Sequence, residues 1–258
     1  MRKNINFMPL LALIAGVCGY FIRKNELLYA IDPVTRLAQH WSKYTLLLVA
    51  LSVVVTVVFE AYIIIKLHRG NAPKSYNALS ANGILSLFAA MLGGAAISVG
   101  GVIYYLSVRK THISVTDYAF VIFAVLSGIT QISLALGAWR RKRGSSNRVA
   151  SVVAPLFFCL WLVIFYRKNS TDPELLNYAL PCFALMAALL SLYFSAGFAF
   201  DRGNARYTLI FSFLASYLCI AAMADFTELY SRLILAGAAA ISAVNAASIA
   251  GNIPDTES

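Results

Sequence analysis

Three side chains in this sequence pair a useful chemistry with a place inside a long apolar run: Glu60, Gln131 and Asn245. Ionisable and polar groups are costly to keep in a bilayer, so where they occur they point to function. Glu60 is the one carboxylate within such a run. It precedes Lys66 by six residues, so it stands about 9 Å short of that boundary at 1.5 Å per residue. Two readings stand for it. A buried carboxylate has a raised pKa and can exchange protons. Alternatively, Glu60 reaches toward water at its helix end or pairs with an Arg of the next loop. Gln131, with Thr130 and Ser133 beside it, and Asn245, with Ser242, are open to two readings as well: interhelical hydrogen bonds or contacts to a solute. If they face a common cavity together with Glu60, they form a candidate solute or proton site.

Other chemistries lack their residues. His40, His68 and His112 fall far apart in predicted loops, and no His-Glu-x-x-His occurs, so a zinc-protease site has no support. Cys18, Cys159, Cys182 and Cys219 are isolated, with no Cys-x-x-Cys, and read as small apolar packing residues. The phosphate-cradling Gly-x-x-x-x-Gly-Lys-Ser/Thr is missing. No aspartate lies within an apolar run, and no His is placed there to activate a Ser. The expectation is therefore a chain that is not an enzyme, with no metal ligands and no cofactor.

The elements that position these groups follow from composition. The 258 residues are 60% hydrophobic and 12% charged, with a mean hydropathy of +0.74; an ordinary globular domain carries about a quarter charged residues. Runs free of Lys, Arg and Asp span Ile5–Ile22, Tyr44–Ile65, Ile84–Ser107, Tyr118–Trp139, Val149–Tyr166, Asn177–Phe200, Tyr207–Ala224 and Leu233–Gly251. Crossing ~30 Å of hydrocarbon takes roughly 20 apolar residues. The chain is thus predicted to be all-α, a polytopic membrane helix bundle of about eight transmembrane helices. Arg2-Lys3 before Phe7–Cys18 has the look of a signal peptide, but the apolar stretch runs on to Ile22 and Val17 is bulky before Cys18, so a retained first helix is expected.

Lys and Arg number twelve on the side of the N-terminus and the second, fourth and sixth loops, against nine on the other. This places both termini in the cytoplasm of a cell that bears the chain in its cytoplasmic membrane. The net charge of +10 fits that placement and does not call for nucleic acid, since no basic stripe lies on a soluble face. Arg140, Arg141, Lys142 and Arg143 form the densest cluster, either a plain topology signal or a contact to anionic lipid headgroups.

Two short sequences recur. Phe21-Ile22-Arg23-Lys24-Asn25 pairs with Phe165-Tyr166-Arg167-Lys168-Asn169, and His68-Arg69-Gly70-Asn71-Ala72 with Asp201-Arg202-Gly203-Asn204-Ala205. They suggest a duplication into four-helix repeats, residues 1–140 and 141–258, within one membrane domain. With four helices per unit both halves enter from the same side, as parallel repeats with a seam between them. The outer segments Glu26–Pro33 and Asp172–Ala179 share acids, a Leu pair and Tyr-Ala. They read as interfacial segments with internal salt bridges, or as an external binding surface.

Small residues let membrane helices approach closely. Gly94, Ser98 and Gly101, with Ala90, Gly93 and Gly100 near them, and Ala239, Ala243, Ala247 and Gly251 form such faces, for contact within the chain or in a homodimer. Pro155 and Pro181 are expected to kink their helices, and Trp161 is expected near an interface or, in a sharper reading, to stack on a ligand.

The stretch from Arg23 to Asp32-Pro33-Val34-Thr35, and that from Phe158 to Ala179 with Trp161, Phe165, Tyr166, Arg167, Asp172-Pro173, Leu176 and Tyr178, resemble a family of uncharacterised multi-pass membrane proteins from clostridial bacteria. Tyr193, Ala196 and Phe198–Phe200 extend the match to about a quarter of the chain, and Arg36-Leu37 departs from it, lacking a Gly before the Leu. The resemblance implies a bacterial inner membrane and no assigned activity. The leading expectation is a small-solute carrier or a membrane subunit of a transport system. The alternative is a non-catalytic scaffold or sensor that assembles through the small-residue faces.

Overall fold

The computed structural model describes residues 7–30, 42–68, 76–79, 83–109, 114–140, 145–170 and 178–253. They form eight α-helices and no strand: α1 (Met8–Tyr29), α2 (Lys43–His68), α3 (Ile84–Val108), α4 (Val115–Trp139), α5 (Ser145–Asn169), α6 (Ala179–Ala199), α7 (Ala205–Ala222) and α8 (Leu229–Asn252), with one 3-10 turn at Tyr76–Leu79. Seven of them, α2 to α8, are long and apolar enough to cross a membrane. The polytopic helix bundle read from the apolar runs is the fold. α1 is not among the seven, because it carries Arg23, Lys24, Asn25 and Glu26 within its own helix. Most helices extend beyond their apolar runs, since a helix satisfies its own backbone and need not stop where the side chains turn polar.

Local chemistry sets several boundaries. Ser114 and Asp117 form a reciprocal cap on α4: Ser114 Oγ accepts from the Asp117 N–H, and the Asp117 carboxylate accepts from the Ser114 N–H at 2.9 Å. Asn204 Oδ1 accepts from the Tyr207 N–H and caps α7. Before it, Asp201 takes the left-handed conformation with φ 57°. A β-carbon on Gly203 would run into the Phe198 ring. The Arg-Gly-Asn motif at this corner is therefore turn chemistry, while its counterpart at Arg69–Asn71 lies outside the described residues. Pro155 is interior to α5, but Pro181 stands in the first turn of α6, where its missing N–H leaves no helical bond unmade.

Helices α3 to α8 pack in chain order, and α8 returns to α3, closing a ring. α1 lies against α7, and α2 sits outermost against α1 and α7. α6, which would be α2's counterpart in a four-plus-four repeat, sits between α5 and α7.

Glycine makes the ring tight, with α3 presenting two faces. Gly94 and Gly101 meet α4, where a β-carbon on Gly94 would stand 2.8 Å from the Gly128 carbonyl oxygen. Gly93 and Gly100 meet α8, and a β-carbon on Gly93 would stand 2.9 Å from the Gly237 carbonyl oxygen. Both are backbone approaches that only small residues allow. Ser98 Oγ donates to the Val125 carbonyl at 3.3 Å, also on α4. Ala239 and Ala243 are buried, with the Ala239 carbonyl accepting from Ser216 of α7, while Ala247 is half-buried on the same helix.

Candidate functional site

The two ends of the ring are filled differently. One end carries the α1–α2 and α7–α8 connections. There Trp161 is buried, its ring within 6.0 Å of those of Phe120, Phe157, Phe158 and Phe226. Tyr104 stacks edge-on to Tyr230 beside them. Trp161 therefore stacks on the protein's own aromatic rings rather than standing open to a ligand. The signal was its spacing, since Phe157, Phe158 and Trp161 share one face of α5 at i, i+1 and i+4.

Outside this layer lies a buried ion-pair cluster. Arg23 of α1 donates from Nη1 to Glu26 at 2.8 Å and from Nη2 to Asp225, in the α7–α8 turn, at 2.6 Å. Its Nε also reaches Asp225 Oδ1, at 2.9 Å. Thr45 of α2 donates to Glu26. Asp225 Oδ2 is buried without a hydrogen bond, and burial pushes the Asp225 carboxyl up to about 6, although Arg23 beside it pulls the other way. Glu26 opens one of the two outer segments read from the sequence, Glu26–Pro33, and pairs with Arg23 of the Arg-Lys pair beside it; residues 31–33 of that segment lie outside the described residues. The partner of Arg23, Asp225, some two hundred residues away, had no sequence signal.

At the opposite end the ring holds a small, partly open cavity of about 60 Å³ among α3, α4, α5, α6 and α8, with the 3-10 turn on its rim. Its polar wall consists of Tyr76, Ser86, Gln131, Ser151, Ser195 and Asn245. Asn245 Nδ2 donates to Ser195 Oγ at 3.1 Å. Gln131 has no hydrogen bond among the described residues, so its carboxamide offers both donor and acceptor to whatever fills the space. Tyr76, only 5% exposed, donates to the Leu134 carbonyl at 3.1 Å. Asn252 Nδ2 of α8 holds the Ala78 carbonyl at 2.9 Å. These two bonds pin the turn across the mouth.

Of the three residues singled out in the sequence, two meet here. Gln131 and Asn245, on helices that do not adjoin in the ring, wall the same cavity. Glu60 does not join them: it is exposed on α2, which contributes nothing to that wall. The polar neighbours are held elsewhere. Thr130 and Ser133 donate to carbonyls of their own helix. Ser242 receives a bond from Ser191, which is also bonded to Ser212, both at 3.0 Å. Ser195, Ser151 and Tyr76 are cavity residues that the sequence reading missed. Ser195 shares a face of α6 with Ser191 at i,i+4, and that is the one signal that could have found it.

Arg140 ends α4 and is exposed; Arg141, Lys142 and Arg143 lie outside the described residues, as do His40 and His112. Among the described residues no group of His, Cys, Asp and Glu could hold a metal ion.

Fold and site together define a multi-pass membrane helix bundle in contact with lipid, with a small cavity at one end whose largely apolar wall carries six neutral polar side chains. No family model, curated protein or solved structure matches the chain.

Proposed function

We propose that the chain is a carrier of small solutes, or the membrane subunit of a transport system, and that the cavity walled by Gln131, Asn245 and Ser195 is its solute site. One observation carries the reading: two carboxamides from distant parts of the chain converge on one cavity, and one of them has no hydrogen-bond partner among the described residues. A carboxamide left unpaired at membrane depth is costly unless something polar meets it. In the orientation read from Lys and Arg, with both termini cytoplasmic in a bacterial inner membrane, the hollow end faces the cytoplasm and the aromatic layer closes the outside. This corresponds to the inward-facing state of an alternating-access cycle. The scaffold alternative has less support, because Gly94, Ser98 and Gly101 lie against α4 of the same chain. Proton coupling through Glu60 has no support in the cavity's geometry. The cluster from Arg140 to Arg143 fits contact with anionic headgroups at the cytoplasmic face.

The test is osmotic swelling of proteoliposomes in glycerol, urea or serine. Protein-dependent swelling with at least one of them, reduced tenfold or more by Gln131→Leu and unchanged by Glu60→Gln, is the expected result. Swelling equal to that of protein-free vesicles in all of them overturns the reading.

A further inference from the structure

α2 carries two apolar seams, and only one is occupied. Leu48, Val55, Phe59 and Ile63 are buried against α1 and α7. Phe59 stacks on Phe213 at 4.8 Å. The polar member of this seam, Ser52, hydrogen-bonds Tyr217 Oη of α7 at 2.8 Å. On the other side Leu46, Ala50, Val53, Val57, Glu60 and Ile64 are all exposed. Their spacing alternates four and three residues, which is the 3.5-residue repeat that seats one helix on another in a left-handed crossing.

Glu60 occupies a core position of this open seam. α2 has 26 residues, so it is about 39 Å long, and a centred hydrocarbon layer of ~30 Å covers Glu60 by roughly 7 Å. Glutamate has too short a stem to carry its carboxylate across that distance. Charged groups at such depth face a bundle interior or pair with one another, yet Glu60 faces outward and has no partner among the described residues. A single polar group at a core position selects the register and identity of the partner helix, as Ser52 does with Tyr217 on the occupied side.

We infer that this seam of α2 docks a transmembrane helix of another protein, one that carries an Arg or Lys at the depth of Glu60. The described residues of a second copy do not supply that group. Each described Lys and Arg lies in a turn or within two turns of a helix end, whereas Glu60 is more than two turns from His68. Ala50 within the seam and Ala61 beside it leave room for close approach. The inference is independent of the solute reading, since its readout is association and not flux.

The experiment uses the full chain in liposomes with fluorescent Leu/Ala transmembrane peptides. One peptide carries a single Arg level with Glu60, and two controls carry Leu or Gln there. Energy transfer to an acceptor on the chain reports docking. The expected result is at least tenfold tighter association of the Arg peptide than of either control, falling to the control level in Glu60→Gln. Glu60 is exposed, so that variant folds as the parent does; Val57→Trp, which fills the seam, provides a second block. Equal binding of all three peptides overturns the inference, as does an Arg preference that survives Glu60→Gln. Disulfide crosslinking between two copies through Val57→Cys, with exclusion of the Arg peptide, assigns the seam to a homodimer and overturns it too.

Discussion

The two ends of the helix ring solve the same problem, polar groups in a low-dielectric interior, in opposite ways. At the ion-pair end Arg23, Glu26 and Asp225 are buried and paired, above a layer of packed aromatic rings. At the cavity end the groups are neutral, and Gln131 is left unpaired beside empty volume. Charge demands partners because desolvating an ion costs several kcal/mol. A neutral amide costs less to leave facing a hollow, above all one that water or a solute can fill. The first arrangement fixes helices to one another, and the second keeps capacity for a guest.

Breaking the charged end gives the largest effect. Arg23→Met leaves two carboxylates buried side by side, and removing one partner of a buried pair costs about 3–5 kcal/mol. Thermal unfolding of the purified chain in detergent should show a strongly lowered midpoint, with partial recovery in the Arg23→Met, Asp225→Asn double variant. A midpoint within a degree of the parent's would mean that the cluster is wet and carries little. The contrast between the two ends would then disappear.

How much of this was legible in the sequence follows the range of the interactions. Helices are read from local apolar runs, and a membrane enforces them, so seven of the runs reappear as helices fit to span. α1 differs because Arg23 and Glu26 are tolerated inside a helix only when Asp225 and Thr45 are there to meet them. That information lies at the far end of the chain. Gln131 and Asn245 could be singled out by polarity alone, but their convergence depends on α8 returning to α3, which no local pattern encodes. Glu60 had the same polarity and went elsewhere: α2 turns it outward because Phe59 and Ile63 compete for the inner face. The Arg202-Gly203-Asn204 motif suggested ancestry and proved to be turn chemistry as well, since any side chain at Gly203 meets Phe198.

A sharper and milder test uses pH. The Asp225 carboxyl is raised from its ordinary 3.8 to about 6 by burial. Between these values the folded chain holds a proton that the unfolded chain has lost, so stability falls as pH rises from about 4 to about 6 and levels off above. Asp225→Asn should flatten that part of the curve in a pH series of unfolding midpoints. Asn245→Ala, at the neutral end, should leave the slope intact. If the slope persists in Asp225→Asn, another carboxylate sets it, and Glu26 is the next to replace.

The smallest effect belongs to the hollow end. Asn245→Ala removes one bond, from Nδ2 to Ser195 Oγ at 3.1 Å, and such interhelical bonds average about 0.6 kcal/mol in membranes. No charge is stranded, and the Ser195 hydroxyl can turn to water in the cavity. The unfolding midpoint should therefore move little, well under the shift of Arg23→Met. Solute flux should fall as it does in Gln131→Leu, because the lost group faces the guest and not a neighbouring helix. A large loss of stability here would mean that the carboxamide holds α6 to α8 as a structural clamp. The cavity end would then be another packed interface with a flaw in it, and the division between fixing and receiving ends would have to be redrawn around Gln131 alone.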